Sequence, residues 1–188
     1  MTTSIYNMNQ IIEKIDHIVN EEIGKSIEFN LHLIHYTQLK TGMLYNELKE
    51  YSSAIEFLRS SIKSPIFTIH ISSLTQMAIA YEALQNVQAS LQCYIILNQD
   101  ISRYIYINRT IEPTERVDLY RIKTKTLLKM ATIYLNHNDT DRALVYITNI
   151  LDYEPNNTEA QSLYDTILST PVVKNNVSNT NEVDSLFK

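Results

Sequence analysis

His32 and His35 stand three residues apart with Glu28 one helical turn earlier, a spacing at which one helix face can offer ligands to a metal ion. A metal site needs more than that. No fourth ligand or second histidine pair accompanies them, so they read as histidines at the surface or the core edge, and His17, His70 and His137 are isolated. The one cysteine, Cys93, sits in the apolar run QCYIIL, where a thiol behaves as a small inert hydrophobe. There is no glycine-rich phosphate loop, nucleophile elbow or paired-cysteine spacing. These residues predict no enzyme, no cofactor and no metal. The remaining candidate is electrostatic: Arg121, Lys125 and Lys129 are spaced four apart, so a helix projects three positive charges in a row. Like charges so placed disfavour an isolated helix by roughly a few tenths of a kcal/mol each. In an acidic chain the arrangement suits an anionic partner. The plainer alternative is a solvated outer stripe balanced by neighbours such as Asp118.

The elements that must position these charges are helices. Two glycines and four prolines among 188 residues, with 44% hydrophobic content, leave little room for turns, and no stretch of strict alternation persists. An all-α fold follows. The formal charge of -5 argues against nucleic acid or an anionic membrane as a general partner. No run approaches the roughly 20 apolar residues of a membrane span. The N-terminus lacks the basic and apolar regions of a signal peptide, so a soluble, cytoplasmic protein is expected.

Along the chain, Ile5, Met8, Ile11, Ile12, Ile15, Ile18 and Val19 predict an amphipathic helix that ends near Gly24, a cap (1-24) packed across the first helix pair. A long helix runs from Ser26 to about Leu48, and the spacing of Ser53 and Glu56 predicts a capping box for the next, which Pro65 closes. A helix pair begins near Ser72, its second member continuing through Tyr104 and Ile107. A loop is expected over Asn108 to Thr114, with an early start to the next helix. Leu127, Met130, Ala131 and Tyr134 form one helical stripe and Ala143, Leu144, Ile147, Ile150 and Leu151 another, broken at Asn136 to Asp139 and stopped by Pro155. Ala160, Leu163, Tyr164, Ile167 and Leu168 predict a covering helix over 158-169. Residues 171-188 are Asn-rich and aperiodic, and disorder is expected there.

The hairpin from Lys123 to Asn157 resembles a tetratricopeptide repeat, with Leu127, Met130, Ala131, Tyr134, Ala143, Ile147 and Pro155 at that family's offsets. Gly42, Tyr45, Tyr51, Ala54 and Leu58 carry a first repeat, and Ala78, Tyr81, Ser90 and Tyr94 a second. The resemblance covers roughly Tyr36 to Leu168, with repeats at about 36-66, 72-107 and 124-157 in a helical domain over 26-170. It implies an α-solenoid of stacked antiparallel helix pairs, a TPR-like superhelix. The family's inner-wall positions fall on Tyr36, Leu39, Lys40, Met43, Asn46 and Glu47, then Ser72, Thr75, Gln76, Ile79, Glu82 and Ala83, then Lys125, Leu128, Lys129, Thr132, Leu135 and Asn136.

What the resemblance implies is a scaffold that binds a short segment of another protein in a concave groove. The expected contacts are Tyr36, Leu39, Met43, Asn46, Gln76, Ile79, Arg121, Lys125 and Lys129, the cations meeting acidic side chains. Some family members clamp the free carboxylate of a chaperone's acidic tail. Here Lys125 and Lys129 match that clamp, whereas Leu39, Met43 and Gln76 replace its other members. Two alternatives stay open: a structural subunit of a larger helical assembly or homodimer, and a secretion-type or co-chaperone protein. The oligomeric state is left open.

Overall fold

The computed structural model describes residues 2–169, with side chains at positions 20, 21 and 23–169. The expected disordered segment 171-188 lies outside the described residues. Seven helices follow in order: α1 (Thr2–Glu47), α2 (Tyr51–Ser61), α3 (Phe67–Ala83), α4 (Val87–Ile107), α5 (Pro113–Asn136), α6 (Thr140–Tyr153) and α7 (Thr158–Ser169). They pack pairwise as α1 with α2, α3 with α4 and α5 with α6, and each pair lies against the next, so the fold is an all-α stack of antiparallel hairpins.

One turn, built three times, makes the hairpins. Lys49, Gln85 and Asn138 each take positive φ, at 63°, 58° and 59°. Around each, the helix ends in the same two bonds: Glu50, Asn86 and Asp139 donate their N–H to the carbonyls of Tyr45, Tyr81 and Tyr134, while Lys49, Gln85 and Asn138 donate to Asn46, Glu82 and Leu135. This is the Schellman ending, in which a left-handed residue lets two trailing N–H groups satisfy orphan carbonyls. The residue that closes it also starts the next helix: the Asn86 side chain accepts from Ala89 N–H and that of Asp139 from Arg142 N–H. Lysine and glutamine lose roughly 1–2 kcal/mol in a left-handed backbone, which glycine does not. Gln85→Gly is therefore expected to stabilise the protein by about 0.5–1 kcal/mol in urea denaturation, and a loss of stability would contradict the turn.

Small residues let the paired backbones close up. Ala54, Ala78, Ala131, Ala143 and Ser90 are wholly buried, and Gly42 faces Leu58 and Ala54 so tightly that no Cβ fits there. Around them runs a core of Leu58, Leu97, Ile101 and Met130, continued by Leu127, Ile147 and Ile150 under α7. His70 ties three elements together, its ring nitrogens 2.7 Å from the Ile62 carbonyl and 2.9 Å from the Asp100 carboxylate.

Three expectations need correction. The first helix does not end near Gly24: α1 is continuous from Thr2 to Glu47, so residues 2–24 prolong it instead of forming a separate cap. An interior glycine costs only about 1 kcal/mol relative to alanine and cannot by itself stop a helix. Second, Ser53 and Glu56 form no capping box. The Schellman turn at Lys49 delivers the chain into α2 at Tyr51, so both lie inside that helix. Third, the second pair starts at Phe67, five residues before Ser72, because α3 begins directly after the Pro65 turn. The long α4, the loop after it and the early start of α5 agree with the sequence reading.

Burial also gives Cys93 and two tyrosines unfavourable surroundings for charge. The Cys93 thiol, buried in α4, is pushed from 9.0 up to about 11, and Tyr146 from 10.0 to about 12, in both cases mainly by burial. Tyr94 moves the same way, first through burial and then through its bond to Glu82. A folded pKa raised above the unfolded one stabilises fully below the unfolded value and is lost as pH rises through the folded value. Melting temperature is accordingly expected to hold up to about pH 9 and to fall between there and pH 11–12, with Cys93 alone contributing on the order of 2–3 kcal/mol. Cys93 should also resist alkylation at pH 8 until the protein unfolds.

Candidate binding trough

α1, α3 and α5, the first members of the three hairpins, flank a cleft of about 580 Å³. Its apolar wall comes from Tyr36, Leu39 and Met43 on α1 and Ile69, Ile71 and Ile79 on α3, with Ile122 on α5 opposite. Leu39 is buried in the floor and Met43 is half-buried, whereas Tyr36 and Ile79 are exposed to whatever enters. Thr68, Ser72, Thr75 and Thr126 supply hydroxyls along the sides. The charges of the lining come from Lys40, Lys125 and Lys129, with the Glu82 carboxylate meeting Lys129 at one end.

The three lysines are not equivalent. Lys129 donates to Glu82 Oε2 at 3.1 Å, and the same carboxylate accepts from the Tyr94 hydroxyl at 2.8 Å on its other oxygen. Glu82 thus anchors one end of the trough and neutralises Lys129. Lys40 lies over the Tyr36 ring, 5.4 Å from its centroid, which satisfies an ammonium only weakly. Lys125 has no ion pair among the described residues. Lys40 and Lys125 are therefore the cations available to an incoming anion.

Seven of the nine sequence-expected contacts line this one cleft: Tyr36, Leu39, Met43, Gln76, Ile79, Lys125 and Lys129. Two do not. The Asn46 amide turns instead to Gln76, donating to both its backbone carbonyl and its side-chain oxygen at 3.0 Å, and so ties α1 to α3 beside the trough. Arg121 faces a neighbouring cleft of about 730 Å³ between α5 and the α6–α7 corner, and pairs with Asp118 at 2.9 Å. The row of three cations is thus divided, with Arg121 on the solvated stripe and Lys125 at the boundary of both clefts. Leu128, also on the expected inner wall, is buried instead, in a cluster with Ile147, Ala160 and Ile167. Sequence reasoning missed Tyr94, which reaches the cleft from α4, a helix outside the first-member register. Lys40, Ser72 and Thr75 stood at register positions and were legible.

The histidines considered as ligands lie elsewhere on α1. His32 Nε2 is 3.8 Å from Glu28 Oε1, and His35 is buried. Among the described residues no group of three or more His, Cys, Asp or Glu side chains is arranged to hold a metal. No helix of the described residues is long and apolar enough to cross a membrane.

A family model described as a tetratricopeptide repeat matches residues 36–64 and 125–157. No curated protein and no solved structure matches the chain. The first matched segment is the end of α1 with α2, and the second is the latter half of α5 with α6. The hairpin between them has no match, yet α3 and α4 meet through the same turn as the other two pairs. The chain thus carries tetratricopeptide-like motifs in an all-α stack of helix pairs, an architecture consistent with a protein-interaction scaffold.

Proposed function

We propose that this chain is a non-enzymatic interaction module that holds a short segment of another protein in the trough between α1, α3 and α5. The segment is part apolar and part acidic. Its apolar side chains lie on Leu39, Met43 and Ile79, and its carboxylates meet Lys125 and Lys40. One observation carries the reading: in a chain of net charge -5, a cleft with an apolar wall is lined by three lysines, of which Lys129 alone is paired with a carboxylate, that of Glu82. Such a site discriminates by charge while gaining affinity from apolar contact. The chaperone-tail clamp is a poorer fit, because Leu39 and Met43 are apolar where a carboxylate needs donors.

The test is fluorescence anisotropy with labelled peptides of about a dozen residues that mix leucine or phenylalanine with glutamate. Binding on the order of micromolar Kd is expected, weakening severalfold as salt screens the lysines. The same peptides with lysine for glutamate should bind far more weakly. Equal binding of both sets, or of neither, would contradict the reading.

A further inference from the structure

Lys125 lines two clefts, the trough on one side of α5 and the cleft of about 730 Å³ on the other, bounded by α5, the end of α6 and the start of α7. A chain lying in the trough can therefore cross α5 at Lys125 and continue. What it meets there differs in kind from the trough. Tyr120 and Tyr153, half-buried with ring centroids 5.4 Å apart, form an apolar wall with the exposed Val117. Glu154 and Glu159 bring two carboxylates to the same lining from the α6–α7 corner.

The charges of this second cleft are matched unevenly. Arg121 is held by Asp118 at 2.9 Å, and Lys123, outside the lining, lies over the Tyr153 ring at 5.2 Å from its centroid. Lys125 is engaged by an acidic side chain of the segment in the trough. Glu154 and Glu159 pair with no cation among the described residues. Glu154 is half-buried and fixed in place: one oxygen accepts from the Thr124 hydroxyl at 2.7 Å and the other from the Asn157 amide at 2.9 Å. The Tyr153 hydroxyl lies 3.1 Å from the same Thr124 oxygen, which sets the carboxylate beside the aromatic wall. Neutral donors orient a half-buried charge without cancelling it, so a cation brought by a ligand is favoured there. A guanidinium suits the place best, because it forks onto a carboxylate and stacks on a tyrosine face. Packed helices lie roughly 8–10 Å apart and an extended chain advances about 3.3 Å per residue, so the crossing takes about three residues.

We propose that the second cleft is an arginine subsite: the partner segment crosses α5 at Lys125 and places an arginine, about three residues from its acidic side chain, against Tyr120 and Tyr153 and the carboxylates of Glu154 and Glu159. The inference rests on the trough reading and adds the partner's charge order, acidic over the trough and basic over the α6–α7 corner. The test is fluorescence anisotropy of the full chain with labelled leucine-glutamate peptides, unextended or extended at either end by a short spacer and one arginine or one glutamate. At one of the two ends the arginine peptide is expected to bind at least about tenfold tighter than its glutamate counterpart. Glu159→Lys, at an exposed position, is expected to reduce that preference at least about threefold and to leave the unextended peptide within about twofold of the parent. Glu56→Lys makes the same charge change on the exposed face of α2 and should leave the preference as it is. Arginine and glutamate extensions that bind equally at both ends, a preference unmoved by Glu159→Lys, or one that Glu56→Lys reduces as much would overturn the subsite and leave the trough standing. No binding of the unextended peptide would remove the trough reading, and the subsite with it.

Discussion

Replacing Gly42 with valine is expected to cost about 3 kcal/mol or more of folding stability. A Cβ built on Gly42 lies 2.5 Å from Leu58 Cγ, 2.8 Å from Leu58 Cδ2 and 3.2 Å from the Ala54 carbonyl oxygen. Neither neighbour can give way cheaply, because Leu58 and Ala54 are wholly buried in the core between the first two hairpins. The added methyls must push α1 off α2, opening the contact that holds the trough's first wall. Alanine at the same position offsets part of the clash by removing glycine's helix penalty of about 1 kcal/mol. Its net cost should be nearer 1–2 kcal/mol. Urea denaturation followed by circular dichroism reads both, as a lower midpoint with an unchanged slope for alanine. A valine variant as stable as the parent would mean that α1 and α2 do not meet at Gly42.

The second large effect concerns recognition. Lys40→Glu with Lys125→Glu turns the available cations of the trough into anions, and affinity for an acidic, apolar peptide is expected to fall on the order of a hundredfold. Stability should change by less than about 0.5 kcal/mol, because both side chains are exposed and neither holds an ion pair among the described residues. Arg121→Glu is the matched control. Arg121 sits outside the trough against Asp118, so its reversal should change affinity far less. Lys129 is the wrong choice for this test. Reversing it breaks the pair with Glu82 and places a second carboxylate beside Tyr94, which confounds binding with packing.

Most of the architecture is legible in the sequence because its signals are periodic and repeated. The stripe of Leu127, Met130, Ala131 and Tyr134 followed by Ala143, Ile147 and Ile150 leaves two helices and a turn as the one arrangement that buries all of it. The excess of residues between the second and third hairpins reads correctly as a longer α4 and an early α5, since Pro113 can start a helix but not continue one. The failures share a cause: each rested on a local signal that neighbouring structure outweighs. Gly24 suggests a stop, but no proline or competing cap supports it. Ser53 and Glu56 have the spacing of a box, yet the turn at Lys49 has already set the start of α2.

At the site, helix register places backbone positions and cannot say where a side chain turns. Tyr36, Leu39, Met43, Ile79, Lys125 and Lys129 follow their register into the trough. Asn46 has the register too, but Gln76 offers its amide two acceptors, and Arg121 finds Asp118 one turn away on its own helix. Tyr94 belongs to a second member of a hairpin, and its approach to the trough depends on how α4 tilts across α3. That is a tertiary fact with no local trace.

The most direct measurement is a methyl NMR titration of the full chain with an acidic, leucine-containing peptide. Shifts are expected at Leu39, Met43, Ile79 and Ile122, on three different helices, and should be absent in the Lys40→Glu, Lys125→Glu variant. Shifts confined to the exposed Ile27 and Leu31 of α1, or to the Leu128 and Ile147 cluster under α7, would show that the peptide binds elsewhere and that the trough is not the site.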